Sequence, residues 1–290
     1  MFERLGTRGV DVGGLAVHRA LPSRARRMVG AWCFLDHAGP APASLAMRIG
    51  PHPHMGLQTF TWMIEGEVMH DDSLGNHQLV RPGEVNLMTA GRGIAHAEVS
   101  QPRPDGRLHA AQLWIALPEA QRHCAPGFAH YTALPGFERG GVRVTLLVGE
   151  METLKAAPTV WSPLVGADCS AATRADAELV LEPRFEYAVL GLSGDVRVEG
   201  QALAPDELIY LGARRRTLRV ASASGGHWLL VGGEPFAEPI LLFWNFVARN
   251  GDEMVQAGAD WNAQRRFGEV AGVDLPRLVA PDATGLRFKA

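Results

Sequence analysis

Apolar residues along the chain gather into short runs rich in Val, Leu, Thr, Phe and Trp, closed by turn-forming Gly, Pro, Asp and Asn. Runs of this length and composition read as strands rather than helices. LQTFTWMI (57–64), EVNLMTA (84–90), LHAAQLWIAL (108–117), VRVTLLVG (142–149), YAVLGLSG (187–194) and HWLLVGG (227–233) are predicted strands, with DSLGN and RPGE as turns. One stretch has helical spacing instead. In NGDEMVQAGADWNAQRR (250–266), Asn250 can cap, Asp252 and Glu253 lie at the positive end of the helix dipole, and Met254, Ala257 and Trp261 recur on one face. Glycine and proline are spread along the sequence rather than clustered, as expected of a chain that turns often.

The strand blocks contain a repeat. IEGEV (64–68) followed by RPGEVNLMTAG (81–91) matches LSGDV (192–196) followed by APDELIYLGAR (204–214). In each copy a strand ends at Gly-acid-Val, a hairpin follows, and a Pro-x-acid turn leads into the next strand. The predicted fold class is therefore all-β, with two tandem small barrels or jelly rolls and a short C-terminal helix. The composition break near LPGFERGG (134–141) divides the chain into domains 1–135 and 136–290, the helix lying in the second. A length of 290 residues suits two such units.

Composition narrows the function classes. A 47% hydrophobic and 20% charged chain is ordinary for a water-exposed globular protein, and a net charge of -3 gives no basic field for nucleic acid. Cys33, Cys124 and Cys169 are isolated and lack C-x-x-C spacing, which argues against a disulfide framework or a thiolate zinc knuckle. MFERLGTRGVDVGG lacks the apolar core of a signal peptide, and PILLFWNFVA falls short of the roughly 20 residues that span a bilayer. These features lead to the expectation of a cytoplasmic protein that does not engage membranes.

Candidate chemistry sits in GPHPHMGLQTFTW (50–62) and GRGIAHAE (91–98). Residues i and i+2 of a strand share a face, so His52 and His54 form one pair of donors and His96 and Glu98 a second. Pro53 places the first pair on an edge strand or a strand start. A lone H-x-H is more often incidental than ligating; two such pairs in one β unit change that balance. Three imidazoles and a carboxylate without thiolate suit Fe(II), Mn(II), Ni(II), Cu(II) or Zn(II) in an open site. The remaining histidines read as structural or surface. His70 and His77 flank DDSLGN and are expected at an exposed hairpin tip, His109 in a strand with a structural role, and His123 and His130 on the surface. His37, in FLDHAGP, is expected near the barrel mouth as an outer partner of the donor set. Phe34, Met47, Phe60 and Trp114 are candidate pocket walls. His227 is alone in the second unit, which is expected to be metal-free and to serve as a cover.

The order H-x-H, gap, G-x-x-H resembles the cupin superfamily. FLDHAGP, HPHMGLQTFTWMIEGEVMHDDSLGN, RPGEVNLMTAGRGIAHAE, LHAAQLWIALP, VGGEPFAEPI and FWNFVARN together resemble the pirin family, from near residue 30 to past 268. That resemblance implies two cupin domains, with one Fe(II) or another divalent metal (Mn, Ni, Cu or Zn) held in the first by His52, His54, His96 and Glu98. It also implies two functions: a quercetin 2,3-dioxygenase acting on a small aromatic flavonol with Glu98 as proton acceptor, or a metal-dependent redox sensor acting through protein partners. The sequence departs from the better-known H-P-H-R-G-F-E-T at Met55, Leu57 and Gln58. Gln58 stands where many cupins place a ligating Glu, which leaves Glu98 to supply the negative charge.

Overall fold

The computed structural model describes residues 2–42, 47–101 and 106–288. The predicted runs are all strands, VRVTLLVG forming Val142–Val148. The strands that build the two repeats are β1 (Arg48–His54), β2 (Leu57–Glu65), β3 (Val68–Asp72), β4 (His77–Val80), β5 (Val85–Thr89), β6 (Ile94–Ser100) and β7 (Arg107–Ala116), then β8 (Leu164–Ala171), β9 (Ala175–Val180), β10 (Glu186–Gly194), β11 (Val196–Val198), β12 (Gln201–Leu203), β13 (Glu207–Ala213), β14 (Thr217–Ser222) and β15 (Gly226–Gly233). Helix α1 spans Gly251–Asn262. Among the described residues, no helix is long and apolar enough to cross a membrane.

The chain divides into two compact units, neither of them contiguous. One comprises Met1–Val10, His18–His37 and Tyr131–Phe236; the other comprises Asp11–Val17, Ala38–His130 and Ala237–Ala290. The repeat read in the sequence is a repeat of pairing. In the unit that holds β1 to β7, one sheet runs β1-β6-β3-β4 and β2 lies between β5 and β7. In the unit that holds β8 to β15, one sheet runs β9-β14-β11-β12 and β10 lies between β13 and β15. Each pair of sheets closes over its own apolar side chains, the jelly-roll solution for strands that bury one face.

In the unit bearing His52 and His54, strands β1 and β6 are buried on both faces over most of their length. Alternation along β6 sends Ala95 and Ala97 outward, where they join a buried cluster with Met55, Phe246, Met254, Ala257, Trp261 and Phe267. Small residues at 95 and 97 leave room for the C-terminal segment to lie close. Helix α1 supplies Met254, Ala257, Gly258 and Trp261 as its buried stripe. Its first turn is held by a reciprocal cap: Asn250 Oδ1 accepts from Glu253 N at 3.0 Å, and Asn250 Nδ2 donates to Glu253 Oε1 at 2.8 Å. Trp261 is fully buried, donates to the Leu278 carbonyl at 2.7 Å and lies under the Arg277 guanidinium. Truncating a buried tryptophan costs about 3–5 kcal/mol, so this one helix residue anchors much of the segment.

The same segment fixes the strand that carries the histidine pair. β1 is at the end of its sheet, the position that tolerates Pro53, and its open edge is closed where Leu278 N donates to the Pro51 carbonyl at 2.9 Å. The turn into β2 requires Gly56. Its φ is +73°, and a Cβ there would stand 2.1 Å from the Val247 carbonyl oxygen. Val247 N in turn donates to the Met55 carbonyl at 2.9 Å, so the backbone just past His54 is held from both sides.

Candidate metal centre

Three neighbouring strands, β1, β6 and β3, each carry an i, i+2 pair of chemically active side chains, and strand register decides how the pairs meet. His96 of β6 lies opposite His52 of β1 and opposite Asp72 of β3. Glu98 lies opposite His70. Residues directly opposite in an antiparallel pair share a face, so His52, His54, His96, Glu98, His70 and Asp72 line one surface of the sheet. A register shift between His96 and Glu98 sets Glu98 opposite Ile49 of β1, and its carboxylate groups with His96 and His70.

The imidazoles are close. Ring centroids are 4.3 Å apart for His52 and His96, 4.9 Å for His54 and His96, and 5.1 Å for His52 and His54. Potential ligand atoms of His52, His54 and His96 lie within 4.8 Å of one another, and so do those of His70, His96 and Glu98. All are buried. His52 Nδ1 donates to the Gly50 carbonyl at 3.0 Å, which leaves the lone pair on Nε2. His54 Nδ1 and His96 Nε2 are buried and have no hydrogen-bond partner. Unpaired buried nitrogens are costly, and coordination of a divalent ion is the interaction that these lone pairs and the nearby carboxylate fit. Trp114, from β7, lies edge-on to His54 with ring centroids 5.0 Å apart.

Burial sets the protonation of the cluster. It pushes the His52 imidazole down to about 4, against the opposing hydrogen bond to Gly50 and with help from His70. Burial also drives His54 and His96 well below the usual range, reinforced by the neighbouring imidazoles, while a backbone hydrogen bond to Asn245 opposes the shift at His54. All three are therefore neutral near pH 7, as metal ligation requires. Burial raises the Glu98 carboxyl, with His70 acting the other way. In the unfolded chain the imidazoles titrate near 6.5, so below that pH the unfolded state binds more protons than the folded one. The histidine contribution is complete above about pH 6.5 and is lost as pH falls through about 4. Glu98 has the opposite sign, since its raised value costs stability as pH climbs through the carboxylate range. Chemical denaturation of metal-free protein between about pH 7.5 and about pH 5 is expected to show a loss of about 2 kcal/mol or more from His52 alone. A flat profile there would contradict three neutral buried imidazoles.

The structure brings His52, His54 and His96 into one cluster and sets Glu98 in a second with His96 and His70, with Asp72 behind His70. His70 is not at an exposed hairpin tip: it is 3% exposed, in the middle of β3, with its Nδ1 3.3 Å from His96 Nδ1 and its Nε2 3.2 Å from Asp72 Oδ2. The signal was present in the sequence, because His70-x-Asp72 repeats the i, i+2 spacing of the other pairs. His77 is exposed as expected, paired with Asp71. His37 differs from expectation, because it belongs to the compact unit without the histidine cluster, where its Nδ1 pairs with Asp206 Oδ1 of the same unit at 2.6 Å. His109 is buried in β7 opposite Glu65. His123 is exposed, whereas His130 is partly buried and bonded to Asn86 Oδ1 at 2.7 Å. Of the expected pocket walls, Trp114 meets His54, Phe34 lies under the Arg19 guanidinium, Phe60 is fully buried opposite Leu113 and Leu87, and Met47 pairs through its backbone with Ser100. Gln58 is buried and donates to Thr89 Oγ1 at 3.1 Å.

In the second unit the matching face has different chemistry. β9 and β14 pair Ala177 with Val220 and Leu179 with Leu218, and β11 sets Val198 opposite Val220. Aliphatic side chains thus fill the positions that imidazoles and a carboxylate occupy in the first unit. His227 pairs instead with Asp168 Oδ1 at 2.6 Å.

Comparison with known proteins places this site in context. Residues 14–115 match the family model described as Pirin, and residues 166–268 match that of the Pirin C-terminal cupin domain. The chain is 48% identical over 285 residues to a Pseudomonas aeruginosa protein named "Putative quercetin 2,3-dioxygenase", covering 97% of this chain and 90% of that one. It is 38% identical over 266 residues to a pirin-like protein of Caulobacter vibrioides, covering 88% and 91% of the two chains. The crystal structure described as quercetin 2,3-dioxygenase from Acinetobacter baumannii superimposes with a TM-score of 0.95 at 46% identity, over 99% of this chain and 97% of that one.

Proposed function

We propose a function on the premise that this chain belongs to the pirin family, as an all-β protein of two cupin domains: it is a metal-dependent dioxygenase that opens the ring of a flavonol of the quercetin type. His52, His54, His96 and Glu98 are the proposed ligands. The observation that carries the reading is the convergence of three neutral imidazoles and a carboxylate on one buried face, with His54 Nδ1 and His96 Nε2 lacking partners. The relatives named for quercetin 2,3-dioxygenase supply the substrate class.

A bound divalent ion, Fe(II) or another of the Mn, Ni, Cu and Zn group, would supply Lewis acidity toward the 3-hydroxyl and 4-carbonyl oxygens of the flavonol. The protein's own part is to hold and to take a proton. Glu98 accepts the proton of the 3-hydroxyl, a task suited to a carboxyl whose burial raises its proton affinity. His52, His54 and His96 bring no charge of their own, so the single carboxylate leaves the site electron-poor. Trp114 gives a flat aromatic wall beside His54 against which a planar ring can lie. Burial of the whole set keeps bulk water from the activated substrate. Dioxygen is consumed and both its atoms enter the opened product, with loss of carbon monoxide.

Met55 bears on the rival reading as a regulator acting through protein partners. It is 2% exposed and packed beneath the C-terminal segment, with its sulfur 2.9 Å from Arg266 Nη2, so this position offers no surface for docking. The test is direct. Metal-free protein is loaded in turn with Fe(II), Mn(II), Ni(II), Cu(II) and Zn(II), and oxygen uptake and carbon monoxide release are followed with quercetin. Turnover with at least one ion is expected; turnover with none overturns the dioxygenase reading.

A further inference from the structure

Asp72, His70 and His96 form a chain of hydrogen bonds that ends at the unpartnered Nε2 of His96. We propose that Asp72 and His70 are positioning residues that set the tautomer and ring orientation of His96, so that Nε2 is the nitrogen offered to a metal ion. This inference rests on the reading of the cluster as a metal centre.

The direction of each hydrogen bond follows from the anionic end. The Asp72 side chain is fully buried, and N–H groups of its own turn converge on it. Oδ1 accepts from Leu74 N at 2.9 Å, Asn76 N at 3.1 Å and Asn76 Nδ2 at 3.0 Å, and Oδ2 accepts from Asn76 Nδ2 at 2.9 Å. A carboxyl surrounded by donors is an acceptor, so His70 Nε2, 3.2 Å from Oδ2, is the donor. A neutral imidazole that donates through Nε2 accepts through Nδ1. His96 Nδ1, 3.3 Å away, must then donate to it, and the lone pair of His96 falls on Nε2. The reverse arrangement, with His70 protonated on both nitrogens, would leave a buried N–H on His96 Nε2 with no acceptor, which is the costlier state. Phe128 stacks on His70 with ring centroids 4.6 Å apart and planes 20° apart, fixing the ring plane. Strand register completes the device, since Asp72 lies opposite His96 and the β3 to β6 ladder keeps the two rows aligned. A ligating histidine whose second nitrogen is held in this way is oriented before metal arrives, and losing such an outer partner typically weakens metal binding about 10- to 100-fold.

Zn(II) serves as a diamagnetic probe. Nitrogen-15 spectra of histidine-labelled protein report each ring's tautomer with and without Zn(II), and chelator competition reports affinity. In metal-free wild-type protein, His96 is expected as the Nδ1–H tautomer and His70 as the Nε2–H tautomer; on loading, His96 Nε2 shifts and His70 does not. His70→Phe keeps the stack on Phe128 but has no ring nitrogens. It is expected to lower Zn(II) affinity about 10- to 100-fold and to mix the His96 tautomers. His70→Gln, whose side-chain carbonyl can accept from His96 Nδ1, is expected to restore most of the affinity. The proposal is overturned if His96 is Nε2-protonated in the metal-free wild type, if His70 itself shows a coordination shift, or if folded His70→Phe binds Zn(II) like the wild type. Wild-type protein that binds no Zn(II) would instead overturn the metal-centre reading, and the metal-free tautomers would still decide the inference if His70→Phe failed to fold.

Discussion

His54→Ala is expected to abolish metal-dependent quercetin turnover and to weaken metal binding by more than the about 10- to 100-fold that an outer partner costs. His54 is at the end of β1, held by the turn at Gly56 and by the hydrogen bond from Val247 N to the Met55 carbonyl, so its ring is aimed by backbone that the substitution leaves intact. Its Nδ1 is one of the cluster's two buried ring nitrogens without a partner, and an alanine removes a proposed ligand together with the ring's hydrogen bond to the Asn245 backbone. The metal-free fold is expected to survive, because the lost packing against Trp114 is offset by removal of an unsatisfied buried polar atom. Metal content of the purified variant and oxygen uptake with quercetin check the prediction. A variant that keeps its metal and its turnover would remove His54 from the ligand set.

Glu98→Gln is expected to separate two roles that one carboxylate performs. Glutamine has nearly the same shape and is neutral, and burial already favours the neutral form of Glu98, so unfolding of the metal-free variant is expected within about 1 kcal/mol of wild type. With metal the outcome differs. The variant lacks the anion that offsets the ion's charge and the group that takes the hydroxyl proton, and general-base loss alone typically lowers rate by about 100- to 10,000-fold. Metal affinity and turnover are therefore both expected to fall while the metal-free stability holds. Full activity in Glu98→Gln would show that another group takes the proton. Gln58, engaged with Thr89, offers no carboxylate to replace it.

Much of the proposed donor set was legible because the rule that points to it is local. The parity of a strand puts residues i and i+2 on one face whatever lies beyond, so H-P-H and H-A-E identify His52, His54, His96 and Glu98 before any fold is known. The same parity applies to H-D-D at 70–72, but that stretch abuts DSLGN, and turn composition favours a solvated tip. Whether a histidine beside a turn is buried depends on the strand lying over it. Here β3 pairs with β6 along its whole length, which carries His70 into the cluster. His37 shows the opposite outcome: a polar step in an apolar run, close in sequence to the donor strands, belongs to the unit without the cluster and pairs there with Asp206.

The sequence by itself determined the strands, the capped helix at Asn250, the repeat and the i, i+2 pairs, since each follows from the spacing of side chains along a few residues of backbone. Only the tertiary structure decided which strands are neighbours, that the last residues return to seal the edge of β1 and the outer face of β6, and that Asp72 and His70 stand behind His96. Those arrangements minimise exposed apolar surface and unpaired polar groups across a whole compact unit, so no short stretch of sequence contains them.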